Sequence, residues 1–389
     1  MARATLLIVE PHSSGHRGSY LRWLVEGALK QGAEVLVAST TEAQRNPLMA
    51  DLFDLPGQSV TFVELPRLYE PTATKTPSKI RLLLRELAYY YSFRSMYRTL
   101  TRRRTVSGVI VPYVDYCFHV IALLGSPFGS AQWCGITMRS GGGRGSFLSR
   151  VRGVLLPRFL RIETLRVLFS INTQRPISAG ADPKLRFLRD PAELRMHVAR
   201  QEARASLGLS DGACVLLVIG TIDERKGVKE LLAAMELMDR AVWQVLIAGT
   251  QSESIRQLFA AAPYRGWVEA GFIRVVDAFL EDADFCAAVA AADVVWLGYV
   301  GHLHSSGVMV VAGVAGLPIV ACAAGEIGIA ARRWGLGPAV DVSDPQKVAD
   351  ALRCLQDDGT RRRYGSCGTT AFVDHTPAAF SRDVLSSLS

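Results

Sequence analysis

Three short segments of this 389-residue chain join glycines, hydroxyl side chains and cations in the manner a phosphate group requires. The first, Glu10-Pro11-His12-Ser13-Ser14-Gly15-His16-Arg17-Gly18-Ser19, follows the apolar run Leu6-Leu7-Ile8-Val9. Small residues let the backbone come close to a ligand, and a helix start just beyond attracts negative charge. The segment is not a G-x-G-x-x-G fingerprint, and no acidic residue closes the second strand to read a ribose. A nicotinamide cofactor is therefore disfavoured. The plain alternative is an ordinary strand-to-helix turn.

The second segment, Gly220-Thr221-Ile222-Asp223-Glu224-Arg225-Lys226-Gly227, also follows an apolar run and opens a helical one. Arg225 and Lys226 beside a helix N-terminus suit a diphosphate: the cations neutralise charge while free N–H groups bind oxygens. A solvated loop with a helix-capping acid is its alternative. The third, Tyr299-Val300-Gly301-His302-Leu303-His304-Ser305-Ser306-Gly307, ends in a Ser-Ser-Gly run before small residues of helical spacing, a second anion-binding helix start. His302 and His304 lack a nearby third ligand, so no metal is expected.

These segments sit in a regular alternation of apolar runs with helical periods. Strands are expected at 5–9, 34–38, 59–64, 108–112, 132–137 and 167–171, with helices at 15–31, 41–53, 77–103, 115–124 and 146–163. Residues 174–194, rich in Pro, Gly and Asp, read as a linker, and a short helix follows at 196–207. The alternation restarts with strands at 213–219, 243–248, 272–276, 293–298 and 317–322. Helices are expected at 227–238, 252–262, 281–291, 306–315, 325–334 and 345–357. The fold class is α/β, two Rossmann-like doubly wound parallel-sheet domains facing a cleft. The expected boundaries are 1–180, 181–375 and a last helical stretch, 376–389, crossing back to the first domain. Ligands of such sheets bind beyond the carboxyl ends of the strands.

Composition is that of an ordinary globular protein, and no run is long and apolar enough to span a membrane. Seven scattered cysteines without a C-x-x-C pair fit free thiols in a reducing compartment, so a cytoplasmic location is expected. The net charge of +8 is uneven: residues 1–185 hold 24 Lys/Arg against 12 Asp/Glu, and the remainder 20 against 24. The basic half is expected to meet something anionic. Its cations cluster at Arg139, Arg144, Arg150, Arg152, Arg158, Arg161 and Arg166, and again over 79–104 with Tyr89 to Tyr91 and Arg102 to Arg104. Basic amphipathic helices lie on anionic membranes, so peripheral contact at the inner face of a membrane is one reading; a solvated helix face packing on its sheet is the other. Nucleic acid is not an expected partner, because no recognised module for it is present.

The second half resembles the family 4 retaining glycosyltransferases of the GT-B fold. The matching residues are Gly220…Lys226-Gly227, Val275-Val276-Asp277…Leu280-Glu281-Asp282-Ala283-Asp284 and Ala290-Ala291-Ala292-Asp293-Val294-Val295, followed by Ser305-Ser306-Gly307…Ala312…Gly316-Leu317-Pro318-Ile319-Val320-Ala321 and Gly325-Glu326-Ile327-Gly328. The first half matches in outline only. The resemblance implies a sugar carried on UDP or GDP and held mainly by the second domain, with the first domain reading the acceptor. Lys226 and Arg225 would act on the diphosphate with Gly220, Thr221, Asp223, Tyr299, His304, Ser305, Ser306 and Gly307. Phe279, Leu280 and Glu281 would lie beside the base. Gly15, His16, Arg17 and Gly18 would face sugar and diphosphate from across the cleft. Transfer would proceed with retention and without metal or cofactor, to an acceptor hydroxyl in glycan, glycolipid or glycosylated-metabolite synthesis, cell-envelope polysaccharide included; the basic helices point to an acceptor that is lipid-linked or anionic.

Four positions depart from that family. Leu303 and Val311 stand where it carries paired glutamates, Thr221 where it carries an arginine, and Arg139 where the first domain often has a histidine. Arg139 cannot act as a base at neutral pH, so it is assigned to phosphate or acceptor. The lost glutamates leave open a non-catalytic binding protein or scaffold at a membrane. An epimerase is a third reading, for which His12, His16, His119 and Glu326 are the obvious acid–base groups.

Overall fold

The computed structural model describes residues 4–12, 16–45, 52, 59–66, 79–138, 147–171, 182–194 and 198–388. The chain forms two compact units, Met1–Arg189 with Pro377–Ser389, and Asp190–Thr376. The junction falls after Arg189, against the 180 read from sequence.

Unit 1 is built on a seven-stranded parallel sheet of order β3-β2-β1-β4-β5-β6-β7. Its strands are β1 (Thr5–Val9), β2 (Glu34–Ser39), β3 (Val60–Glu64), β4 (Gly108–Val111), β5 (Trp133–Thr137), β6 (Leu165–Ser170) and β7 (Leu185–Phe187). The central strands are apolar on both faces because helices cover both. Strand alternation divides them: Leu7, Val9, Leu36, Ala38, Val109 and Val111 face one side, Ile8, Val35, Val37 and Ile110 the other. The first side packs on α3 (Lys79–Thr101), α4 (Phe118–Leu124) and α5 (Phe147–Leu160). The second packs on α1 (His16–Lys30); the short α2 (Thr41–Gln44) follows β2, and most of the rest of the helix expected to 53 lies outside the described residues.

Unit 2 repeats the plan with six parallel strands of order β10-β9-β8-β11-β12-β13. These are β8 (Cys214–Ile219), β9 (Trp243–Ala248), β10 (Ile273–Val276), β11 (Val294–Leu297), β12 (Ile319–Cys322) and β13 (Ala339–Val340). Its helices are α6 (Arg200–Ser206), α7 (Val228–Met235), α8 (Glu253–Ala260), α9 (Tyr264–Glu269), α10 (Asp282–Ala291), α11 (Gly307–Val314), α12 (Gly325–Trp334), α13 (Pro345–Cys354) and α14 (Asp358–Ala371). A buried ionic knot ties α6 to β8 and β11. Arg204, 1 % exposed, donates to Asp293 Oδ2 at 2.6 Å and to the carbonyls of Ala291, Ser210, Asp211 and Ala213; Arg200 also pairs with Asp293, which accepts from Val215 N–H. Such a charge is tolerated inside because its donors are satisfied.

Four elements go beyond the sequence expectation. The strands β7 and β13 are edge strands of three and two residues, too short for a period to register; β7 lies within the expected linker. The helix α9 fits between two expected elements. The helix α14 is hidden by its glycines. A Cβ at Gly365 would collide with the Gly316 carbonyl, and one at Gly368 would stand 3.2 Å from Gly313 Cα, so these glycines serve the close approach of α14 to α11. The expected helix at 115–124 begins instead as a 3-10 turn, Val114–Tyr116, before α4.

The last helix, α15 (Pro377–Leu385), belongs to unit 1 and packs on α1. Gly27 admits it: a Cβ there would lie 2.6 Å from Ser381 Cβ. Phe380, 1 % exposed, lies with its ring centre 4.9 Å from Tyr20 and 6.3 Å from Trp23. Phe380→Ala is expected to destabilise unit 1 by about 3–5 kcal/mol, the usual cost of emptying a buried aromatic site. Urea unfolding, with hydrogen exchange on α1 and α15, checks this; an effect confined to unit 2 would contradict the packing.

Candidate functional site

In each sheet the chain order reverses between the first and fourth strands, β1 and β4 in unit 1, β8 and β11 in unit 2. Loops leaving the carboxyl ends at such a point diverge and leave room for a ligand. The three phosphate-type segments of the sequence are the loops after β1, β8 and β11.

In unit 2 the loop after β8 is clasped to the loop after β11. Gly227, at φ +65°, lies so close to Gly298 that a Cβ would collide with its carbonyl oxygen. The Trp296 indole donates to the Lys226 carbonyl at 2.8 Å, and Val300 N–H donates to the Arg225 carbonyl at 2.9 Å. Gly220, at φ +100°, passes under Gly249, where a Cβ would meet the Gly220 carbonyl. Held this way, Lys226 is 5 % exposed. Its ammonium donates to the Ile219 carbonyl at 2.8 Å and the Tyr299 hydroxyl at 2.6 Å, and lies 4.5 Å from the centre of the Tyr299 ring. An ammonium has three N–H bonds, so among the described residues one donor remains. The Tyr299 hydroxyl is 3.3 Å from Ser306 Oγ, which links the lysine to the start of α11.

Arg225 is exposed, 3.5 Å from Asp223, with its guanidinium 5.8 Å from the Tyr299 ring centre. Thr221 and His304 are exposed; His302, between Tyr299 and His304, contacts both rings. Burial, with Arg225, His304 and Lys226 nearby, holds the His302 imidazole below its ordinary pKa of 6.5. Two helix starts meet this cluster: α7 after Gly227 and α11 after Ser306, neither capped by a side chain. The structure thus gathers Gly220, Asp223, Arg225, Lys226, Tyr299, Ser306 and Gly307 at one sheet end; Ser305 and His304 flank them. Phe279, Leu280 and Glu281 lie on the loop between β10 and α10, with Phe279 71 % exposed and Glu281 at the helix cap. Leu303 is exposed, and its carbonyl accepts from Glu326 N–H at 3.2 Å. Among the described residues no cluster of His, Cys, Asp and Glu could hold a metal ion.

In unit 1, Gly15 and Arg139 lie outside the described residues. His16 begins α1, and Gly18 is buried within it. Arg17 lies 5.1 Å and 5.4 Å from the ring centres of Tyr113 and Tyr116. Beneath it is a buried group not singled out by sequence as a site. Glu10 Oε1 accepts from His12 N–H at 3.1 Å and the Tyr116 hydroxyl at 2.8 Å, while Oε2 is buried and has no partner among the described residues. Tyr116 stacks on Tyr89, whose hydroxyl is 2.7 Å from His12 Nε2. Burial pushes the Glu10 carboxyl up from 4.5 to about 7, against the pull of its hydrogen bonds and of Arg17. These tyrosines come from α3 and from the loop after β4, so no local motif announces them. Arg152, counted in the basic stretch, is no surface cation: it is buried, paired with Asp115 and 3.7 Å from the Phe118 ring centre.

Two outcomes check this geometry. Gly227→Ala should destabilise unit 2 by roughly 2–4 kcal/mol, whereas Gly301→Ala, at φ +66° with open space around it, should cost roughly 1–2 kcal/mol. Equal losses in urea unfolding would contradict the clasp. Glu10 is protonated in both folded and unfolded chains below about pH 4.5, and its burial penalty grows as pH rises to about 7. Glu10→Gln should therefore gain stability over the parent across that window, approaching about 3 kcal/mol above it. A gain that does not depend on pH would contradict the assignment.

Residues 213–358 match the family model described as glycosyl transferases group 1. A comparison with curated protein sequences finds no match. Among solved structures, sucrose-phosphate synthase from Thermosynechococcus elongatus is similar with a TM-score of 0.70 at 17 % identity, over 99 % of this chain and 98 % of that one. The Anabaena protein Alr3699/HepE in complex with UDP has a TM-score of 0.68 at 15 % identity, over 99 % of both chains. A glycosyltransferase from Rickettsia africae has a TM-score of 0.68 at 10 % identity, over 100 % of this chain and 98 % of that one. Residues 213–358 thus form a glycosyl transferases group 1 domain, within a chain built on the GT-B glycosyltransferase fold.

Proposed function

We propose that the chain transfers a sugar from a nucleoside-diphosphate sugar to an acceptor hydroxyl, with unit 2 holding the donor. The observation that carries this reading is the Lys226 ammonium, locked by Ile219 and Tyr299 at the switch point between two uncapped helix starts. Leaving diphosphate gains charge as the glycosidic bond breaks. Fixed cations and helix N-termini stabilise that charge without reorganising. Arg225 is the second cation, on the loop where Thr221 replaces the family arginine. Phe279, Leu280 and Glu281 flank the base, and the Ser306 hydroxyl and the N–H groups of α11 serve the phosphates. Donors of this kind are consistent with the UDP in the HepE complex.

Transfer with retention, without a metal, completes the reading: the cations here can take the place a divalent ion has elsewhere. Glu326 is bonded through its N–H to the Leu303 carbonyl, which supports it as the source of the carboxylate that Leu303 itself cannot supply. The acceptor is lipid-linked or anionic, and the place of action is the inner face of a membrane. Replacement of the paired glutamates by Leu303 and Val311 favours one second reading, a binding protein without turnover.

Thermal shift with UDP and GDP tests donor binding. Stabilisation by one of them is expected, with affinity falling roughly 10- to 100-fold in Lys226→Ala, the worth of a charge-assisted hydrogen bond. No shift with either nucleotide would overturn the proposal. Binding without hydrolysis or transfer of any sugar nucleotide would establish the second reading.

A further inference from the structure

We propose that the face of unit 1 formed by α3, α4 and α5 docks on an anionic lipid bilayer. This rests on the membrane part of the reading above and is independent of nucleotide binding. The three helices lie side by side, with α4 in the middle. The Tyr90 hydroxyl of α3 donates to the Leu124 carbonyl at 3.5 Å, and Arg158 of α5 donates to the Leu123 carbonyl at 3.1 Å. Six of the seven large apolar residues exposed among the described residues of unit 1 stand on this face: Leu83, Leu84, Tyr91, Leu123, Leu124 and Val154. Leu84 and Tyr91 are seven residues apart, on one stripe of α3. Isolated exposed apolar residues are ordinary, but this many on adjoining helices mark an interaction surface.

Charge identifies the partner. The three helices carry Lys79, Arg81, Arg85, Arg94, Arg98, Arg150, Arg152 and Arg158 against a single acid, Glu86. Glu86 is buried and occupied by the His119 ring at 2.7 Å and by the N–H groups of His119 and Val120. Arg152 is likewise consumed inside. Among the described residues, the exposed face therefore offers Arg98, Arg150 and Arg158 with hydrocarbon and no carboxylate. In unit 2, by contrast, four helix arginines are answered by an acid one turn away: Arg256 by Glu253, Arg265 by Glu269, Arg353 by Asp350 and Arg362 by Asp358. A protein partner of mixed charge would not call for an acid-free face, whereas lipid phosphates draw in arginines and the leucines and Tyr91 enter the interface between head groups and acyl chains.

Co-sedimentation of the full chain with phosphatidylcholine vesicles containing about one third phosphatidylglycerol tests the proposal. Binding is expected to these vesicles, to weaken with salt, and to be absent with phosphatidylcholine alone. Tyr91→Ser with Leu124→Ser, and separately Arg98→Glu with Arg150→Glu, should each lower it by about tenfold or more. Both pairs should keep the parent thermal shift with UDP or GDP, which separates loss of the surface from loss of the donor site or fold. Failure to bind anionic vesicles at low salt would overturn the proposal, as would binding that both pairs leave unchanged. A dimer in gel filtration that the same serine substitutions dissolve would give the face to a second copy of the chain instead.

Discussion

The donor half depends on one close approach of backbone to backbone, Gly227 against Gly298. Two loops that leave different strands are brought within contact there, and no side chain can stand between them. Trp296 and Val300 close the joint with hydrogen bonds to the carbonyls of Lys226 and Arg225. The consequence is that Lys226 is placed by main chain and not by its own flexible stem. A lysine normally surrenders much rotamer freedom to hold one position. Here packing has already imposed that loss during folding, so a ligand arriving at the ammonium meets a group that is set.

Buried charge is handled by the same logic elsewhere, with different completeness. Arg204 has its donors occupied by Asp293 and four carbonyls, and it stabilises the entry to β8 and β11. Arg152 and Asp115 are satisfied together, Thr137 bridging them with hydrogen bonds of 2.7 and 2.8 Å. Glu10 is the exception, because among the described residues only one of its oxygens is bonded. The unpaired oxygen makes the carboxylate form costly, which is why its carboxyl is shifted while the knot around Asp293 needs no such adjustment.

Most of the fold is legible in the sequence because fully buried parallel strands appear as unbroken apolar runs, as in Leu6 to Val9 and Val215 to Ile219. The donor loops are equally plain, since glycines and cations cluster in 220–227 and serines with glycine in 299–307. What escapes is whatever distant residues make together. Glu10 looks like the end of a strand until Tyr116 and Tyr89 arrive from other elements. Arg152 looks like one more surface cation until Asp115 is beside it. In α14 the glycines read as loop although they mark a helix drawn close to another. Local pattern carries secondary structure well, but it does not record which face of an arginine-rich helix turns inward.

The return of α15 to α1 has a consequence for the order in which the protein can be made. Most of unit 1 precedes unit 2 in the chain, yet Phe380, which covers Tyr20 and Trp23, follows it. The whole of unit 2 is synthesised in between. Through that interval the nascent first unit carries an uncovered aromatic patch, and such a surface invites chaperones or aggregation. The first unit is therefore completed only after all of the second has been made, whereas the second can close on itself without waiting for α15.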